Sequence, residues 1–300
     1  MKHWTLLGCG ALGGVLAGLL AKAGHQISLL RTDGGAVRLP LQLQLWDLDD
    51  HGYRFEPDFL QPKDADNITL LLVTTKAYQV QPALEPLIGR LPSHTPILLL
   101  HNGMGTQEWV QRAFPENPLL LGITSNGALR LGVDEFCHTG PGETWIGPGN
   151  DAAQGYAFLA DVLAQALPHA GWSSEIHLKQ WEKLVINSII NPLTALSGEQ
   201  NGALLARREE IEALCHELQP LLLRQGLPQS EEVWVEKVLQ VARLTAENYS
   251  SMQQDLAHQR PTEIDYMCGY LLRQALPLGI PLPLQQQLYH AIKAKEHSHE

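Results

Sequence analysis

The chain has 300 residues, of which 44% are hydrophobic and 18% charged, and its formal net charge is -11. This balance fits a soluble folded protein of roughly two ordinary domains and excludes a disordered chain. No long basic run offsets the acidity, which argues against a nucleic-acid binder.

The N-terminus imitates a short signal peptide. Lys2 and His3 precede an apolar run through Leu20, then AKAG, and LLGC resembles a lipoprotein cleavage box. The basic region is too short for that role, and the run holds a glycine fingerprint that a secretory segment does not need. No other stretch approaches the apolar length of a membrane span. The cysteines (Cys9, Cys137, Cys215, Cys268) are scattered, with neither metal-ligand nor CxxC spacing. They read as reduced, mostly buried thiols, which favours the cytoplasm and predicts no metal site.

In chain order, WTLLG (4–8) reads as a strand and ALGGVLAGLLAKAG (11–24) as a small-residue helix ending at Gly24. HQISLLR (25–31) is the next strand, and LQLQLW (41–46) alternates as a half-exposed strand should. NITLLLVTT (67–75) is a near-continuous apolar strand suited to the centre of a parallel sheet. A helix over 78–90, the strand TPILLLHNG (95–103), a helix from about 105 and the strand LLLGITS (119–125) follow. The Gly-rich tract to Gly149 predicts short strands and turns, and a helix is expected near 153–167. Strand–helix alternation of this kind predicts a doubly wound α/β sheet. From His177 onward the periodicity is helical, over 178–197, 207–225, 230–246, 261–276 and 283–295, with Gly and Pro at the breaks. The reading is therefore an N-terminal Rossmann-like dinucleotide-binding domain over 1–173 and an all-α substrate and catalytic domain over 174–300. The terminal HSHE reads as a frayed helix end.

Six stretches bear on chemistry. GCGALG (8–13) is a G-x-G-x-x-G after a predicted strand and at the start of a predicted helix. Gly8 would permit the turn, Gly10 the approach of a pyrophosphate, and Gly13 close helix–strand packing. The second strand ends in Leu29-Leu30-Arg31-Thr32, where an NAD site would place Asp or Glu. Arg31 can pair with a 2′-phosphate, Thr32 can add a donor, and Lys76 can add charge on the adenine side. HNGMG (101–105) lies at a strand end, so Asn102 can reach nicotinamide, ribose or substrate; His101 reads as a packed or capping residue. In EKLVINSIINPLTA (182–195), Lys183, Asn187 and Asn191 recur at steps of about 400° and form one drifting polar stripe on an apolar helix. Pro192 disfavours ideal helix at Asn191. ENYSSM (247–252) and PTEIDY (261–266) place small polar or acidic groups among apolar neighbours, and Glu263 alone could simply serve a helix dipole.

GCGALG, LLLVTTKAYQV, PILLLHNGMGT, WEKLVINSIINPLTAL, ENYSSM and TEIDY together resemble the 2-dehydropantoate 2-reductase (ketopantoate reductase) family. The likeness spans nearly the whole chain and is thinnest at 32–60 and 148–175. It implies NADPH-dependent reduction of the 2-keto group of 2-dehydropantoate to (R)-pantoate, in pantothenate and coenzyme A biosynthesis. The family's catalytic lysine and glutamate fall on Lys183 and Glu263. Its substrate contacts fall on Asn102, Asn187, Asn191, Asn248 and Ser251. Its cofactor contacts fall on the loop Gly8, Cys9, Gly10, Ala11, Leu12 and Gly13, on Arg31, Lys76 and Gln79, and on Asn102. Asn126 and Gly127 in ITSNGAL (123–129) do not align securely with the family's cofactor-side loop.

These residue types suit the reaction. Hydride addition to a ketone builds charge on oxygen, so a cationic donor must stabilise and then protonate it. Lys183 is expected to do so with a pKa lowered by partial burial, oriented by Asn187 and Asn191. Glu263 would accept a hydrogen bond from the substrate hydroxyl, while Ser251 and Asn248 hold the carboxylate. The expected partner is a small-molecule substrate, with no nucleic acid or membrane, for a monomer or homodimer whose domains enclose a cleft. Two other readings are a related 2-keto or 3-hydroxy acid dehydrogenase and a non-catalytic NADP sensor. A substrate panel separates the first, and NADPH binding without turnover would mark the second.

Overall fold

The computed structural model describes residues 2–32 and 42–297. Leu41, at the start of one expected strand, and the last three residues of HSHE lie outside the described residues. The chain divides into two compact units: Met1–His101 with Thr106–His177, and Asn102–Gly105 with Leu178–Glu300. A cut at 173/174 falls between the last strand of the first unit and the helix that opens the second.

The first unit is built from β1 (His3–Leu7), α1 (Ala11–Lys22), β2 (Gln26–Leu30), β3 (Leu43–Trp46), β4 (Gly52–Phe55), β5 (Asp58–Leu60) and β6 (Leu71–Val73). Then come α2 (Ala77–Leu84), β7 (Ile97–Leu99), α3 (Gln107–Ala113), β8 (Leu119–Thr124), β9 (Gly127–Arg130), β10 (Glu135–Gly140), β11 (Thr144–Pro148), α4 (Phe158–Ala164) and β12 (Ala170–Trp172). The main sheet runs β12-β11-β8-β7-β6-β1-β2-β5. From β5 to β8 every pairing is parallel, and β11 pairs antiparallel with β8. With β5 as third strand, the six parallel strands follow the 3-2-1-4-5-6 order, whose reversal lies between β1 and β6.

Side chains of that sheet alternate between two cores, as period-two strands require. Leu6, Leu72, Leu98 and Leu120 enter one core, while Leu7, Val73, Leu99 and Leu121 enter the other. Burial on both faces explains why these strands read as unbroken apolar runs. A smaller sheet, β4-β3-β10-β9, lies against α1. Gly14 and Gly18 permit this approach, since a Cβ at either would fall 2.1 Å from Phe136 or 2.7 Å from Leu45.

The second unit holds α5 (Ile176–Ser197, continuing from the first unit), α6 (Arg208–Arg224), α7 (Glu231–Leu244), α8 (Ser251–Ala257), α9 (Cys268–Ala275) and α10 (Pro283–His297) around one apolar core. Several expectations change. The strand over 67–75 shortens to β6, because Pro62–Asn67 forms a 3₁₀ turn. The helix over 261–276 splits into a 3₁₀ turn at Ile264–Tyr266 and α9. Pro192 does not interrupt α5. A proline at 192 cannot donate to the carbonyl of Ser188, four residues back. The thiol of Cys268 lies 3.6 Å from that oxygen and donates to it instead. No helix among the described residues is long and apolar enough to cross a membrane.

Candidate active site

The glycine loop joins β1 to α1 at the reversal of strand order. Gly8 has φ +103°, and a Cβ there would fall 2.7 Å from the Thr75 nitrogen. A Cβ at Gly13 would lie 2.0 Å from the carbonyl oxygen of Gly8. That carbonyl accepts a 2.6 Å hydrogen bond from Thr74 Oγ1, which pins the turn to the end of β6. Packing within the protein therefore demands Gly8 and Gly13. Gly10 differs, since a Cβ there would meet nothing within 4 Å. As N-cap of α1 it also offers no side chain to the first helical turn, whose N–H groups suit an anion.

Beside this loop lies a cavity of about 580 Å³, at the carboxyl ends of β1 and β2. Gly8, Cys9, Arg31, Thr32 and Gln79 line it, all singled out in the sequence. Gly10, Ala11, Leu12, Gly13 and Lys76 are not part of its lining. Lys76 is instead the half-buried N-cap of α2, its backbone N–H donating to Gln79 Oε1 at 3.3 Å. Burial pushes the Cys9 thiol up to about 11, so it remains protonated at neutral pH. The lining also includes Phe59, Arg130 and Val133, which the sequence reading did not single out. Each comes from a short strand or hairpin without a motif.

The second cluster centres on Lys183, half-buried in α5. Its Nζ donates a 2.9 Å hydrogen bond to Asn102 Oδ1. Burial draws the ammonium pKa down to about 8, and the charge of Glu263 opposes that fall. Glu263 is only 2% exposed and immediately precedes the 3₁₀ turn at Ile264–Tyr266. The same turn seats HNGMG: Met104 N donates to Tyr266 O at 2.9 Å. Gly103, with φ +77°, would place a Cβ 2.7 Å from that oxygen. Gly105 lies on Tyr270, whose ring packs 5.7 Å from Trp181, two residues before Lys183. Asn102 and Glu263 are thus held by one turn, and Lys183 by the helix packed behind it.

The remaining polar residues take separate places. Asn187 is half-buried, and Asn191 is buried with Nδ2 3.6 Å from Met267 Sδ. Asn102 supplies one amide bonded to Lys183, and Asn191 directs one of its two amide N–H groups to a thioether. Asn248 is exposed, and Ser251 is half-buried at the start of α8. Ser250 Oγ caps α8 by accepting from Gln253 N at 3.1 Å and lies 2.8 Å from Thr194 Oγ1. The segment bearing Asn248 and Ser251 is thereby fixed to α5 one turn beyond Asn191. His101 pairs with Thr106 Oγ1 at 2.9 Å, as a packed residue would. Asn126 bonds Thr124, Thr144, Gly142 and His138, a structural knot between strands.

Parallel strand order, a glycine loop at its reversal and a following helical unit define a Rossmann-type oxidoreductase. Models of the ketopantoate reductase family PanE/ApbA match residues 4–151, and its C-terminal part matches 175–296. The chain belongs to the ketopantoate reductase family. It is 40% identical to a 2-dehydropantoate 2-reductase of Escherichia coli O157:H7, over 99% of this chain and 96% of that protein. A 2-dehydropantoate 2-reductase structure from Geobacter metallireducens GS-15 superposes with TM-score 0.86 at 25% identity, covering 97% of this chain and 99% of the other. D-mandelate dehydrogenase with NADH and anilino(oxo)acetate shares the fold, with TM-score 0.90 at 22% identity over 99% of both chains.

Proposed function

We propose that the protein reduces 2-dehydropantoate to (R)-pantoate with NADPH, a step of pantothenate and coenzyme A biosynthesis. The observation that carries this reading is Lys183, an ammonium lowered to about 8 that is bonded to Asn102 and attracted by buried Glu263. Membership of the family and similarity to the E. coli protein support the choice of substrate.

The glycine loop fits a dinucleotide. Open space over Gly10, where the protein itself does not need a glycine, suits close approach of a pyrophosphate to α1. Gly8, Cys9, Gln79 and Arg31 would hold the adenosine half, with Arg31 on the 2′-phosphate. Lys76 would add charge, and Asn102 would serve both cofactor and substrate. A reduced nicotinamide supplies hydride when bound.

Hydride addition at C2 turns the keto oxygen into an alkoxide. Lys183 stabilises that charge and transfers one proton to the oxygen, and solvent then returns a proton to the neutral amine. A donor with a pKa near 8 stays charged at neutral pH yet releases its proton more readily than an exposed lysine. Glu263 accepts a hydrogen bond from the substrate hydroxyl. Asn248 and Ser251 bind the carboxylate, and Asn187 and Asn191 line the remainder without adding charge. The test is NADPH oxidation with 2-dehydropantoate by wild type and Lys183→Ala. Turnover is expected only in wild type; near-normal turnover in the variant would remove Lys183 from the mechanism. Preference for another 2-keto acid in a substrate panel would overturn the substrate.

A further inference from the structure

Arg130 ends β9, in the smaller sheet, yet its side chain lines the same cavity as Arg31, Thr32 and Gln79. It does not hang free. Its Nε donates to Gly132 O at 2.8 Å and its Nη2 to Val133 O at 3.0 Å, which fixes the plane of the guanidinium across the hairpin tip. Nη1 and one hydrogen of Nη2 remain beyond those two bonds. The guanidinium is also near enough to Cys9, inside the glycine loop, to favour that residue's thiolate electrostatically. Val133, next along the tip, lines the cavity while 66% of its own surface stays exposed. Such an apolar face is suited to cover a purine.

Charge balance indicates what this cation meets. A phosphate monoester carries roughly -1.5 to -2 at neutral pH, more than one guanidinium neutralises. The pyrophosphate has α1's N-terminus available to it, whereas a ribose phosphate at the end of β2 has only side chains. Arg31 at that strand end and Arg130 from the smaller sheet supply two cations to one cavity.

We propose that Arg130 is a second specificity-determining residue for the 2′-phosphate, adding its cation to that of Arg31 in the cavity both line. This rests on the NADPH reading above. Direct binding tests it without turnover, by calorimetric titration of wild type, Arg130→Met and Arg130→Lys with 2′,5′-ADP and 5′-AMP. Wild type is expected to prefer 2′,5′-ADP. Arg130→Met should lose about tenfold or more on 2′,5′-ADP and little on 5′-AMP, as for one charge-assisted hydrogen-bonding group. Arg130→Lys should recover part of the loss. Equal weakening of both ligands, or wild-type preference retained in Arg130→Met, would overturn the role of Arg130 alone. A wild type that binds both ligands equally would overturn the NADPH reading as well.

Discussion

Lys183 and Asn102 lie 81 residues apart in sequence and are joined by a 2.9 Å hydrogen bond from the ammonium to the amide oxygen. The amide is neutral, so it orients the lysine without raising its pKa as a carboxylate would. The partner that does raise it, Glu263, is buried nearby. One residue thus sets direction and another sets charge, and the two can be altered separately.

Removing the ammonium should be the most damaging change. Lys183→Ala is expected to lower kcat by about 10²–10⁴-fold, the usual range for a positioned proton donor. NADPH binding, followed by fluorescence titration, should largely survive. Loss of both together would indicate misfolding rather than loss of the acid.

The pH profile should carry the signature of the lowered pKa. With Lys183 as the proposed proton donor, kcat should be level at low pH and fall above about pH 8. Glu263→Gln removes an attraction that favours the charged form and should move the inflection lower. Asn102→Asp adds one and should move it higher. Shifts of the same sign in both variants would contradict the assignment.

The same lysine should leave a mark on stability. Its pKa is about 8 when folded against 10.5 as the ordinary value, so between those pH values the unfolded chain binds more protons. Stability should therefore rise with pH across that window, and the rise should shrink in Lys183→Ala. Urea unfolding of both proteins at pH 7.5 to 10.5, as an approximate range spanning the two pKa values, measures it.

Two glycines six residues or fewer from β1 should fail in different ways. At Gly13 an added methyl would collide with backbone, so Gly13→Ala should cost about 1–3 kcal/mol or prevent folding. At Gly10 the same methyl meets no protein atom. Gly10→Ala should keep its melting temperature and lose affinity for the dinucleotide. A stable Gly13→Ala would contradict the close packing seen here.

For the cofactor, Arg31→Ala should weaken NADPH far more than NADH. Equilibrium titration with each measures the difference, and equal weakening would point away from a 2′-phosphate contact.

The fold class was legible in the sequence because its signals are local. The apolar run around Leu72 read as a central strand, that around Leu98 as another strand, and the 3.6-residue period from His177 onward read as helix. Strands of three or four residues, such as β4, β5 and β12, carry too little pattern to be seen. Pro192 misled because its local rule is real, but Cys268, 76 residues onward, supplies the donor that the helix loses. HNGMG read as a motif whose Asn102 could reach a ligand, but its docking on Tyr266 and its bond to Lys183 were not legible in the sequence. Arg130 had no periodic or motif context at all. Side-chain identities were readable, while long-range pairings had to come from the packing.

The chain leaves the first unit after His101, two residues beyond the end of β7, and returns to it at Thr106. The polypeptide therefore changes unit three times, although a single cut near 177 looks natural on a linear map. A fragment beginning at Leu178 would lack Met104 from its core and Asn102 from beside Lys183. Neither half can be transplanted intact as one contiguous segment. Domain exchange with another reductase would have to carry this four-residue insert along with the C-terminal helices, or leave the transferred Lys183 without its amide.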